Sequence, residues 1–138
     1  MGLQSSKIGA ILGMIGSTIF LIVGLFGLTL ARIGYNPDPN FPIIISYITA
    51  LLTIALSACG FVGSILVFRD LPMGYIILLV AGIVGIVGTL VPVHVYDMGY
   101  GYVYYTYLIN TAMYIDLVLM VVGAVLGFAL AEKKERQL

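Results

Sequence analysis

The sequence predicts an all-α membrane protein, a four-transmembrane-helix bundle with both termini cytoplasmic, and three observations predict it. Of 138 residues, 62% are hydrophobic and 9% charged, with a mean hydropathy of +1.16, which leaves too few charges to coat a soluble globule of this size. The apolar residues gather into four runs, at about residues 8–31, 43–68, 73–91 and 110–131, each near the roughly 20 residues that cross a bilayer. Lys7, Arg69, Lys133, Lys134 and Arg136 fall on one side of this layout and only Arg32 on the other; positively charged loops stay inside, which places both termini in the cytoplasm. The whole chain then reads as a single transmembrane domain, expected in the cell membrane, with outer loops at residues 32–42 and 92–109.

The first run, residues 8–31, is too long for the apolar region of a cleaved signal peptide, so it is expected to stay as a span. The opening Met1-Gly2-Leu3-Gln4-Ser5-Ser6 fits the permissive myristoylation pattern without requiring it. Residues 32–42 carry Pro37, Pro39 and Pro42, which lack amide donors and restrict their predecessors, so a compact loop follows the first span. Arg69-Asp70-Leu71-Pro72 reads as a tight turn between the second and third spans, and Pro92 closes the third or kinks its end.

Small residues within the spans fall into stripes at helical spacing. The first span carries Gly9, Gly13, Gly16, Gly24, Gly27 and Ala31; the second carries Ser46, Thr49, Thr53, Ser57, Gly60 and Ser64. Gly74, Ala81, Gly85 and Gly88 line up in the third, and Ala112, Asp116, Gly123 and Gly127 in the fourth. Helices in lipid associate through close backbone approach and interhelical hydrogen bonds, so four such stripes predict one compact bundle. The hydroxyl stripe also admits a second reading, a narrow polar path, although such hydroxyls can equally satisfy their own helix carbonyls.

Asp116 is the one acid placed inside a predicted span rather than at its end. A charge in hydrocarbon is costly, so it is expected to pair or to serve a site. It is expected to form a structural pair or a hydrogen-bonded carboxyl, with Arg32 the expected partner in a polar lock at the outer end of the bundle; His94, Asn110 and the nearby tyrosines are further candidates, and the alternative roles are a site that holds a partner subunit or lipid and proton or cation handling.

The outer loop holds Tyr96, Tyr100, Tyr102, Tyr104, Tyr105 and Tyr107, six of the ten tyrosines. An aromatic belt at the membrane interface accounts for them. The alternation of Gly99, Gly101 and Val103 with Tyr100, Tyr102 and Tyr104 also suggests a short extended ribbon whose aromatic face docks a protein or stacks on a carbohydrate.

The net charge is zero, which offers no basic surface to nucleic acid. Cys59 is alone, so no intramolecular disulfide forms, and His94 is alone, so the chain by itself holds no bis-histidine haem; no cofactor or metal site is expected. His94 reads as an interfacial hydrogen-bonding residue. No phosphate-binding glycine loop and no Gly-x-Ser-x-Gly elbow occurs.

The segment 60–88, GFVGSILVFRDLPMGYIILLVAGIVGIVG, resembles the central part of small prokaryotic four-span proteins of unknown function, in which a glycine-rich span, a short charged turn with proline and a Gly-x-x-Gly span follow one another. The layout loosely resembles tetraspanins and claudins, without their cysteine-bearing outer loops. Gly13-x-x-Gly16 and Gly82-x-x-Gly85 suggest a faint internal repeat of two-span units.

These features lead to a non-enzymatic tetraspan protein, an accessory or structural subunit of a larger membrane complex or a self-assembling component, with lipids and other membrane subunits or copies of itself as partners. A small homo-oligomeric channel or transporter is the alternative. A weaker one is a quinone- or lipid-binding subunit, with Asp116 and the tyrosines anchoring a head group.

Overall fold

In a computed structural model, which describes residues 5–34, 43–99 and 101–137, the elements run α1 (Ser5–Arg32), α2 (Ile43–Phe68), α3 (Met73–Leu90), β1 (Pro92–Gly99), β2 (Tyr102–Tyr107) and α4 (Ile115–Gln137). Segments Lys7–Arg32, Ile43–Phe68 and Met73–Leu90 are long and apolar enough to cross a membrane, while α4 is apolar over the shorter stretch Ile115–Ala129. The proline loop at residues 35–42 and Tyr100 lie outside the described residues.

The helical fold class holds, with four helices, and the structure adds one feature within the expected outer loop: Pro92–Gly99 and Tyr102–Tyr107 pair as an antiparallel hairpin. Pro92 has no amide to continue α3, Val91 turns extended, and the valine- and tyrosine-rich residues that follow suit a strand. Gly99 and Gly101, at φ +84° and +82°, take the left-handed geometry of the tip, where a side chain would be strained. The ribbon suggested by the glycine alternation is therefore formed, and Val95 stands opposite Tyr105, with Asp97 opposite Val103.

The fourth helix starts at Ile115, not at Asn110. Met113 and Tyr114 adopt left-handed conformations at φ +54° and +66°, which cannot belong to a right-handed helix. Asp116 consequently lies in the first turn of α4, at the start of its apolar stretch and not in its middle.

The turn between α2 and α3 ends one helix and starts the next within a few residues. Asp70 is left-handed at φ +61°; its amide donates to the Val67 carbonyl at 2.9 Å and that of Leu71 to the Leu66 carbonyl at 2.9 Å. This is a Schellman ending with aspartate in the usual glycine position, and Pro72 is the N-cap of α3.

Each consecutive helix pair is antiparallel, and α4 closes the ring against α1. Space at the glycines gives the registers: Gly24 lies against Ile54 and Gly60 against Ser17, joining α1 to α2, and Gly63 against Gly74, joining α2 to α3. Gly85 against Leu117 joins α3 to α4, and Gly9 against Gly123 and Gly127 joins α4 to α1. An up-down-up-down ring therefore puts Lys7, the Arg69–Pro72 turn and the end of α4 at one end, and Arg32, the hairpin and Asp116 at the other.

The core between the helices is Phe20, Leu78, Ala81, Ile109, Leu117, Met120 and Ala124, with a second cluster of Ala10, Val67 and Tyr75 toward the termini. Every helix turns large apolar residues outward, among them Ile22, Phe26, Leu51, Ile65, Ile76, Val80, Val118, Val122 and Val125. α4 shares that apolar exterior over its shorter apolar stretch, Ile115–Ala129.

Candidate functional site

The chemistry-bearing side chains collect at the hairpin end, where the sequence joins β2 to α4. Ile109 fixes the position. It is buried against Gly88, and its amide donates to the Gly88 carbonyl at 3.2 Å, while the Leu108 amide donates to the Val91 carbonyl at 2.9 Å. The foot of the hairpin is thus tied to the last turn of α3. From there the turn through Thr111 and Tyr114 delivers the chain to α4.

Asp116 is fully buried in that turn. Its Oδ1 accepts from the Thr111 hydroxyl at 2.5 Å and the Leu117 amide at 2.9 Å, and its Oδ2 from the Ala112 amide at 3.3 Å. An acidic group in the first helical turn also faces the positive end of the helix dipole. The cost of removing it from water is offset by these donors.

Arg32 is not the partner. It is exposed, and no ion pair joins it to Asp116 among the described residues. The physical reason is the helix start: beginning α4 at Ile115 provides neutral donors within five residues of the carboxyl. The polar lock therefore forms within one segment, not between α1 and α4. What α1 contributes is Gly16, whose missing side chain admits the Asp116 backbone carbonyl.

The left-handed Tyr114 links this lock to α3. Its amide donates to Thr111 Oγ1 at 3.1 Å, and its hydroxyl lies 3.1 Å from Thr89 Oγ1. Thr89 has a single hydroxyl proton and sits 2.6 Å from the Ile86 carbonyl, so the consistent arrangement has Tyr114 donating to Thr89 and Thr89 to Ile86. Two left-handed non-glycine residues cost on the order of 1–3 kcal/mol each, and this bonding holds them.

Beside these groups lies a cleft of about 390 Å³ lined by Thr89, Leu90, Tyr107, Ile109, Asn110, Thr111 and Tyr114. Neither Thr89, Thr111 nor Tyr114 stands out in the sequence. The available signal was a threonine five residues before an acid at the start of an apolar run, which is capping chemistry.

Gly9, Gly13, Gly16, Gly24, Gly60, Gly85, Gly88, Gly123 and Gly127 are buried, and Gly27 is half-buried. Gly63 and Gly74 make a further backbone contact, between α2 and α3.

Thr49, Thr53, Ser57 and Ser64 are buried and donate to the carbonyls of Ser46, Thr49, Ile54 and Gly60, at 2.7–3.0 Å, within their own helix; Ser46 is half-buried. Ser17, which faces Gly60, is also fully buried, and among the described residues its hydroxyl has no hydrogen-bond partner.

On the hairpin, Tyr105 and Tyr107 stack with ring centroids 6.4 Å apart and are exposed, as are Val95 and Val103. Tyr96, Tyr102 and Tyr104 are strand positions, with Tyr96 opposite Tyr104. Cys59 is exposed on the outer face of α2. At the opposite end Lys7 Nζ lies 4.6 Å from the centre of the Phe68 ring, a cation–π contact.

Comparison with protein-family models, curated proteins and solved structures finds no match to this chain.

Proposed function

We propose that this chain is a non-enzymatic integral membrane protein that acts through contacts with other membrane proteins, as an accessory or structural subunit or as a self-assembling component. The observation that carries this reading is the contrast between a closed interior and an open hairpin. Helices meet backbone to backbone at Gly9 and Gly123 and at Gly63 and Gly74, and the α2 hydroxyls are turned into their own helix. The hairpin meanwhile exposes Val95, Val103, Tyr105 and Tyr107, the aromatic and aliphatic surface that interface cores favour. The resemblance of residues 60–88 to small four-span proteins is in keeping with this plan.

In this reading all four helices cross the membrane. The apolar part of α4, Ile115–Ala129, is about 22 Å long at 1.5 Å per residue, short of the hydrocarbon core; local thinning accommodates it. Lys7 and Arg69 share the end that holds both termini, and with the basic tail they put that end in the cytoplasm. The hairpin then faces outward.

A photo-crosslinking residue placed at Tyr105 tests the reading in the protein's own membranes, against one at the exposed Ile22. A defined protein adduct from position 105, with only lipid adducts from position 22, is the expected result. Adducts to lipid alone from both positions would remove the support for assembly through the hairpin.

A further inference from the structure

The cleft at the junction of α3, β2 and α4 has a lining that selects one class of ligand. We propose that it holds the uncharged, polyhydroxylated head group of a membrane lipid, a glycolipid in chemical class. Its volume, about 390 Å³, lies within the range of small-molecule sites.

Among the described residues the lining offers no charge. Asp116, hydrogen-bonded to Thr111 of the lining, is fully buried and both its oxygens are taken by Thr111, Ala112 and Leu117. An anionic phosphate finds no cation among the lining residues, and a quaternary or primary ammonium finds no free carboxylate.

The hydrogen-bonding capacity is mixed. With Tyr114 donating to Thr89, the Tyr114 oxygen keeps its acceptor capacity; Asn110 supplies an amide that both donates and accepts, and Tyr107 a hydroxyl that does the same. A quinone carbonyl only accepts and would leave the acceptors unmatched. Sugar hydroxyls donate and accept, and the apolar faces of a pyranose suit the rings of Tyr107 and Tyr114.

The surroundings favour a lipid-borne head group over free sugar. Leu90 lines the cleft while 65% exposed, and Val87 one turn back on α3, with Ile115 and Val118 on α4, continue an exposed aliphatic surface from it. Acyl chains can lie along that surface while the head group stays at the interface.

The test uses the full chain purified in a polyoxyethylene detergent, so that no glycosidic detergent competes. Native mass spectrometry then reads retention of a monohexosyl diacylglycerol, of phosphatidylglycerol and phosphatidylethanolamine with the same acyl chains, and of free methyl hexoside. The hexosyl lipid is expected to be held in a one-to-one ratio, about tenfold more tightly than either phospholipid, with the free hexoside not retained.

Asn110→Leu is expected to weaken retention roughly three- to tenfold, the loss of one or two neutral hydrogen bonds. Asn110 is exposed and makes no other side-chain bond among the described residues, so the variant's melting temperature should stay at the wild-type value, and Tyr107→Ala supplies a second variant in the lining. Equal retention of a phospholipid, free hexoside bound as tightly as the lipid, or undiminished retention by both variants overturns the proposal.

Discussion

Gly9 and Gly123 occupy each other's side-chain space: a Cβ on Gly9 would fall against the Gly123 carbonyl oxygen, and a Cβ on Gly123 against that of Gly9. Both begin a glycine pair four residues apart, Gly9 with Gly13 and Gly123 with Gly127, so α1 and α4 are joined through two facing stripes. Lipid gives little hydrophobic drive to such contacts, and their strength lies in close van der Waals approach.

Replacing Gly9 or Gly123 by Ala should therefore separate the helices. The obstructing atoms are backbone, which cannot rotate away, and the expected loss is about 1–3 kcal/mol or more. Gly27→Ala is the control, because its Cβ would meet only Ala50 Cβ at 3.7 Å, and it should be neutral or slightly stabilising. Thermal unfolding in detergent compares them; equal effects at the two positions would mean that the α1–α4 contact is not what holds the bundle.

The outer end is expected to depend on Thr111 and not on Arg32. Thr111→Val leaves Asp116 Oδ1 with only the Leu117 amide, at an expected cost of about 1–3 kcal/mol. Arg32→Gln should change stability by less than about 0.5 kcal/mol, as for a surface substitution. A comparable cost for both, read in the same unfolding assay, would restore the cross-helix ion pair.

That pair shows where sequence reasoning stops. The three helices with membrane-length apolar runs were legible because apolar runs of that length have few other uses, and the second run coincides with α2 at both ends. The packing stripes were legible because glycine and serine at helical spacing state which face is inward. The start of α4 was not, because Ala112, Met113, Tyr114 and Ile115 are as apolar as a span. Hydropathy does not register the left-handed backbone at Met113 and Tyr114, and once the helix began too early, Asp116 looked buried in lipid and in need of a distant cation. The hairpin lay between these cases, its alternation visible but equally compatible with an aromatic belt.

Ser17 and Gly60 should be coupled. Gly60→Ala places a methyl against the Ser17 hydroxyl and is expected to destabilise the bundle. Ser17→Gly should recover much of that loss, giving an interaction energy of at least about 0.5 kcal/mol in a double-mutant cycle. Ser17→Ala alone should cost little or nothing, because it removes a buried hydroxyl that has no partner among the described residues. Additive effects of Gly60→Ala and Ser17→Gly would contradict this packing.

The hairpin should be separable from the bundle. Gly99→Val and Gly101→Val each force a branched residue to φ near +80°, which strands and tips do not accept. Amide hydrogen exchange at Val95 and Tyr105 is expected to accelerate while exchange in α1 and α2 stays unchanged. Acceleration throughout would show that the hairpin is integral to the folded core.

The central claim, a closed bundle that works by assembly, is tested most directly by native mass spectrometry of the protein extracted from its own membranes. The account predicts a defined complex, with other chains or further copies in fixed stoichiometry, that Gly99→Val disrupts while the single chain stays folded. A closed ring of this chain alone that carries ions when reconstituted in liposomes would contradict it.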